Sequence, residues 1–199
     1  MRSRAMPYAR TFAVLAPALL LAGCISFGPE TPDSLLTLTP TATAPAGSGA
    51  TSSGGQSIVL SEFETPAALD VTRVPVQIDD TSLAYLQDAT WVEKPARLLR
   101  RLIGETLRTR SNAVIVDGDD PGTLADRRLS GTVRQFGYDA RTSSVVLVFD
   151  GVLPGEGDSV RTRRFEAIVP NIAPEVGAVG PALNQAANQV AGEVAEWIG

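Results

Sequence analysis

Val145-Val146-Leu147-Val148-Phe149 is apolar on both faces that a β-strand presents. A strand of that kind belongs at the centre of a sheet, with a neighbouring strand on each edge. Two strand-length segments flank it at hairpin spacing, roughly Arg128–Tyr138 and Val160–Val169. The connections are a short Asp-Ala-Arg-Thr turn and a Pro154–Asp158 loop. The chain is therefore committed to a three-stranded antiparallel meander with its middle strand, 144–153, central. Gly131 and Gly137 in the first strand mark bulges or close approaches.

Further strands are read at Ile58-Val59-Leu60, at Thr72–Ile78 and at Ala113–Val116. Pro75 removes one ladder donor, so the second of these lies at an edge or carries a bulge. Residues 79–90 read as turn-rich with three embedded apolar side chains. A helix is expected over 91–110, with Thr90 and Glu93 fitting a capping box. Pro95 moves the helix proper toward a start between Val92 and Pro95. Leu98, Leu99, Leu102, Ile103 and Leu107 make one apolar stripe. A second helix is expected from Pro181 at its first position to Ile198, burying Leu183, Ala187, Val190, Val194 and Trp197. Strand runs with two separated helices predict an α+β fold: a mainly antiparallel sheet with two helices packed on one face.

The domain, residues 58–199, is preceded by two segments of another character. Arg2, Arg4 and Arg10 form a basic start, and Phe12 to Ala22 is an uninterrupted apolar run of 11 residues. That is short for a bilayer span and right for a signal peptide, here residues 1–23. Leu21-Ala22-Gly23-Cys24 follows and resembles a bacterial lipobox, in which the thiol is acylated and becomes the mature N-terminus. The alternative is a secreted protein with an incidental cysteine, and a lone thiol is a liability in an oxidising compartment. Two or more acyl chains anchor stably, as with palmitate. Ile25, not Asp, follows Cys24, which makes the periplasmic side of the outer membrane the expected address and the inner membrane the alternative.

Residues 24–57 read as a lipidated flexible tether. From Pro40 to Ser57 they carry no charge, no aromatic and no aliphatic side chain larger than Ala. Such a tether relaxes to roughly 30–35 Å and extends to about 115 Å. Leu35-Leu36-Thr37-Leu38 is a strand-like island within it, able to pair with the domain edge or a partner.

Composition closes off much chemistry. The 199 residues include no His and one Cys. No Ser-His-Asp triad, His-ligated metal or internal disulfide can form. The net charge of −5 does not suit a nucleic-acid surface. Asp117-Gly118-Asp119-Asp120 lacks the spacing of a calcium loop and reads as a solvated turn. Asp79-Asp80 are adjacent and face apart. Gly151–Gly157 sits between strands with no following Lys-Ser/Thr. Trp91 and Trp197 read as packing residues. No enzyme, metal or cofactor is indicated. Arg97, Arg100, Arg101, Arg108 and Arg110, with Lys94, line the flank of the first helix beside its apolar stripe. They are either a solvated surface or a docking face for an acidic partner, with Arg97, Arg100 and Arg101 the residues to test.

Trp91-Val92-Glu93-Lys94-Pro95, running into Leu98-Leu99 and a helix ending near Leu107, resembles the helix start of the PqiC-like ABC-type transport auxiliary lipoproteins. The lipobox at Cys24, the early Leu36-Thr37-Leu38 and the closing amphipathic helix agree. Lys94 departs from the family pattern, and Tyr85-Leu86-Gln87-Asp88 meets its loop only loosely. The resemblance implies a fold similar to the TolB N-terminal domain and leaves ring-like homo-oligomers open. It implies partnership with an MCE-domain protein and an ABC permease and ATPase, in lipid transport between inner and outer membranes. A structural or assembly lipoprotein of the outer membrane is the competing reading.

Overall fold

The computed structural model describes residues 34–49, 57–111, 113–118, 125–155, 157 and 159–199. The lipobox, with Cys24, lies outside the described residues. The described residues belong to one compact unit, Pro32–Gly199.

Seven strands and two helices follow in the order β1 (Ser57–Leu60), β2 (Arg73–Gln77), β3 (Leu83–Thr90), α1 (Pro95–Arg110), β4 (Val114–Asp117), β5 (Arg127–Asp139), β6 (Ser144–Pro154), β7 (Val160–Val169) and α2 (Val176–Ile198). The expected meander is present: β6 pairs antiparallel with β5 and with β7 along nearly its whole length. Val145, Leu147 and Phe149 are completely buried on one face; on the other, Val146 is nearly so and Val148 is half-buried.

The long β5 organises the rest. One edge holds β6. The other is shared by parallel β1 at its start and parallel β2 at its end. A single bridge from Glu64 to Thr132 lies between them. Beyond these, β4 adds in parallel to β1 and β3 antiparallel to β2. The sheet is thus mixed, with antiparallel ladders carrying most of the pairing. Gly131 and Gly137 mark close approaches: a Cβ would lie 2.4 Å from the Asp150 carbonyl oxygen at one and 2.3 Å from that of Pro75 at the other. The β2–β3 register shifts between Arg73 and Pro75, so the proline is accommodated by a bulge.

Three expectations are corrected. Residues 83–90 are a strand, not a turn-rich stretch. The Asp79 carboxylate accepts bonds from the Thr81 and Ser82 amides, each 2.8 Å, closing a hairpin turn. The backbone ladder then carries a strand whose side chains are mostly solvated, so no alternation reports it. Helix α1 begins at Pro95 with Lys94 as its cap, and no Thr90 capping bond forms. Proline's fixed φ and missing N–H suit the first helical position. Helix α2 starts at Val176, five residues before Pro181. The carbonyl that Pro181 leaves without a helical donor belongs to solvent-exposed Gly177, while Val179 in the added turn is completely buried.

Both helices cover one face and touch each other. One core results, from Leu99, Ile103 and Leu107 of α1, Leu183, Val190 and Val194 of α2, and the aromatic side chains of the sheet. Trp91 packs against Phe136, and Phe165 against Trp197. Gly151 lies directly below this: an added Cβ would be 3.2 Å from both Phe165 and Trp197. Its glycine answers to packing, not to a phosphate.

Candidate functional site

The segment before the domain does not run clear of it. Residues 36–44 form a strap across the two helices. Leu36 pairs in parallel with Trp91: its N–H donates to the Thr90 carbonyl at 2.8 Å, and its carbonyl accepts from Val92 at 2.9 Å. Its side chain sits over Gly180, where a Cβ would approach it to 2.9 Å. One turn along α2, the Asn184 Oδ1 accepts from the Thr39 amide at 2.8 Å. A further turn on, Asn188 accepts from the Thr41 amide and donates to the Thr39 carbonyl, both at 2.9 Å. Glu105 of α1 then accepts from the Ala44 amide at 2.7 Å. Gly180, Asn184 and Asn188 lie on one helical face at i, i+4 spacing. Within the segment read as a flexible tether over 24–57, helix side chains bond the backbone at Thr39, Thr41 and Ala44, and the backbone at Thr90 and Val92 bonds Leu36. Residues 50–56 lie outside the described residues.

Between the strap and α1 runs a groove of about 380 Å³, bordered by Leu38, Pro40, Arg101, Leu102, Glu105 and Arg108. Every basic side chain on this flank has an internal partner. Lys94 meets Asp70 at 2.8 Å, and Arg97 meets Glu62 at 3.3 Å. Arg101 pairs with Glu93. Arg108 bridges Asp117 at 2.5 Å and Glu105 at 3.5 Å, and Arg110 meets Glu196 at 3.5 Å. Arg100 differs: it is half-buried and its Nη1 donates to the Leu60 carbonyl at 3.3 Å. Of the three arginines singled out for docking, Arg97 and Arg101 are exposed on α1, and Arg100 packs toward β1. Exposed pairs like these contribute little to stability, so the side chains exchange partners at small cost.

The opposite face of the sheet is open at its centre. Asp150 of β6 accepts two bonds from Arg164, at 2.7 and 2.8 Å, and one from Arg134 at 2.9 Å. Those arginine bonds hold its carboxyl well below the usual range, at about 2, against the opposing effect of partial desolvation. Asp79 caps its own turn, and Asp80 pairs with Arg141. The adjacent carboxylates thus serve structure separately. Asp117 is held by Arg108. Asp119 and Asp120 lie outside the described residues. Among the described residues no three His, Cys, Asp or Glu side chains converge on a metal-sized site. No described helix is long and apolar enough to cross a membrane.

Trp91, which carried the helix-start motif, is the hub of this region. It is almost completely buried, with its amide donating to the Thr72 carbonyl at 2.7 Å. Leu36 pairs beside it, and α1 begins four residues later. The strap's helix contacts had a signal in the sequence that composition alone conceals: two asparagines, Asn184 and Asn188, at i, i+4 on α2.

The arrangement is that of an α+β domain with a strap laid over its two helices. The family model for ABC-type transport auxiliary lipoprotein components matches residues 36–195. The chain belongs to that family, and the match begins at the strap's first paired residue. Among solved structures, a Xanthomonas campestris protein of the DUF330 family has a TM-score of 0.69 at 18% identity, covering 83% of this chain and 94% of that one. An uncharacterized protein has a TM-score of 0.62 at 16% identity, covering 83% and 100% respectively. A PelC dodecamer from Paraburkholderia phytofirmans reaches only 0.43 at 13% identity, covering 74% and 91%. The first two share the fold. No curated protein matches the chain.

Proposed function

We propose that this chain is the membrane-anchored accessory of an MCE-type ABC transport system, supporting lipid movement between inner and outer membranes by binding partner proteins. The family match over residues 36–195 carries the reading, because it places the whole domain in a transport-auxiliary family. The lipobox supports an anchor: acylation of Cys24 fixes the chain to the periplasmic side of a membrane, the outer one by the residue that follows. No triad or thiolate chemistry is open to a chain whose one thiol is acylated and which has no histidine. Its contribution is therefore association rather than turnover. The docking face proposed is the exposed flank of α1 at Arg97 and Arg101, whose guanidinium groups can exchange their internal acids for bidentate contacts with a partner's carboxylates.

A tag after Gly199 and capture from crosslinked cells test the reading. An MCE-domain protein and an ABC permease or ATPase should be recovered. Recovery of outer-membrane assembly proteins alone favours the structural-lipoprotein alternative. Arg97→Glu with Arg101→Glu should lower the yield of the MCE partner while leaving the fold intact. A wild-type yield from that variant places docking elsewhere.

A further inference from the structure

We propose that the corner formed by Leu35 and Val92 rests on the bilayer that holds the acyl chains of Cys24. The inference rests on the reading that Cys24 is acylated, and it adds which part of the domain meets the membrane.

Chain length gives the first argument. A free tether would let the domain stand off by about 115 Å. The strap removes most of that freedom, because residues 36–44 are held to α1 and α2. The leash is then the stretch from Cys24 to Leu35, twelve residues. Its covalent length limits the reach to at most about 40 Å. The leash leaves the domain at Leu35, so that point is the part of the domain drawn nearest the membrane.

The surface there gives the second argument. Leu36 and Trp91 are paired and turned toward the core. The pleat therefore turns Leu35 and Val92 outward. They are 51% and 53% exposed, among the most exposed large apolar side chains described. Two such residues next to the leash exit make an apolar tip that a headgroup layer can cover. Lys94 and Arg101 flank the tip, each with its acid partner, Asp70 and Glu93. The corner is thus close to neutral, and insertion depends on apolar contact, not on anionic lipid.

Ile168 is the matched control. It is 54% exposed but lies on β7, at the sheet margin opposite β3 and Trp91. Four strand spacings separate the margins, about 19 Å.

The mature lipoprotein is reconstituted into vesicles of phosphatidylethanolamine and phosphatidylglycerol. An environment-sensitive fluorophore is placed on Val92→Cys, on Leu35→Cys or on Ile168→Cys. Acylation blocks the native thiol, so label reaches only the introduced cysteine. Labels at 92 and 35 should emit to the blue and be quenched by lipid-borne quenchers about threefold more than the label at 168. The contrast should survive a change in phosphatidylglycerol content. Equal quenching at all three positions overturns the proposal, as does a contrast that disappears without anionic lipid. Failure of the protein to float with vesicles refutes the acylation reading itself, and the corner's role falls with it.

Discussion

Replacing Asn188 with Ala separates the strap from the helix that holds it. The side chain makes two bonds to the strap, accepting from the Thr41 amide and donating to the Thr39 carbonyl. Bonds of this kind contribute about 0.5–1.5 kcal/mol each, and both are exposed, so the strap loses about 1–2 kcal/mol. That is about a 5- to 30-fold rise in the local opening constant. The helix itself moves the other way, since Ala is favoured over Asn in a helix interior by about 0.5 kcal/mol. Amide hydrogen exchange resolves the two effects. Thr39 and Thr41 should exchange about 5- to 30-fold faster, while core amides of β6 stay as protected as in the parent. Limited proteolysis should move to residues 41–49. Unchanged exchange at both threonines would mean that Asn188 does not hold the strap.

Four further substitutions probe packing and charge. Leu102→Ala removes a nearly fully buried α1 side chain and should destabilise by about 2–5 kcal/mol in urea, whereas an unchanged midpoint would misplace the helix face. Gly131→Ala forces a Cβ to within 2.4 Å of the Asp150 carbonyl oxygen and should cost about 1–3 kcal/mol, whereas Gly177→Ala, with open space around it, should be neutral or stabilising in thermal melts. Asp150 has a folded pKa of about 2, below its unfolded value, so its contribution is present above the unfolded pKa and is lost as pH falls toward 2. Asp150→Asn should therefore be less stable than the parent at pH 7, by about 1–2 kcal/mol after solvent screening, with the gap closing between pH 5 and pH 2; a gap independent of pH would assign the loss to packing.

The meander was legible because Val145–Phe149 belongs at the centre of a sheet, and the α1 stripe because burial repeats at i, i+3, i+4. Residues 83–90 were not legible, since that strand is held by backbone pairing and an Asp79 turn while its side chains face water. The start of α2 was hidden by Pro181, whose cost is absorbed where Gly177 meets solvent. The strap was legible only at Leu35–Leu38, read as able to pair with the domain edge, where Leu36 does pair with Trp91; residues 39–44 were not. Their composition is that of a linker, and their order comes from Asn184, Asn188 and Glu105, which lie 61 to 147 residues away along the chain. Local composition cannot report a partner at that distance. The arginine flank was correctly placed on α1, but its neutralisation by Glu62, Asp70, Glu93 and Glu196 depends on tertiary neighbours.

The transport role itself is tested most directly by following newly made phospholipid from the inner to the outer membrane in cells with and without this chain. The rate of transfer should be altered in the deletion strain, restored by the wild-type chain and not by Cys24→Ser, which keeps the domain but loses the anchor. An unaltered rate in cells lacking the chain, with the MCE and ABC components present, would contradict the transport role and leave a structural lipoprotein in its place.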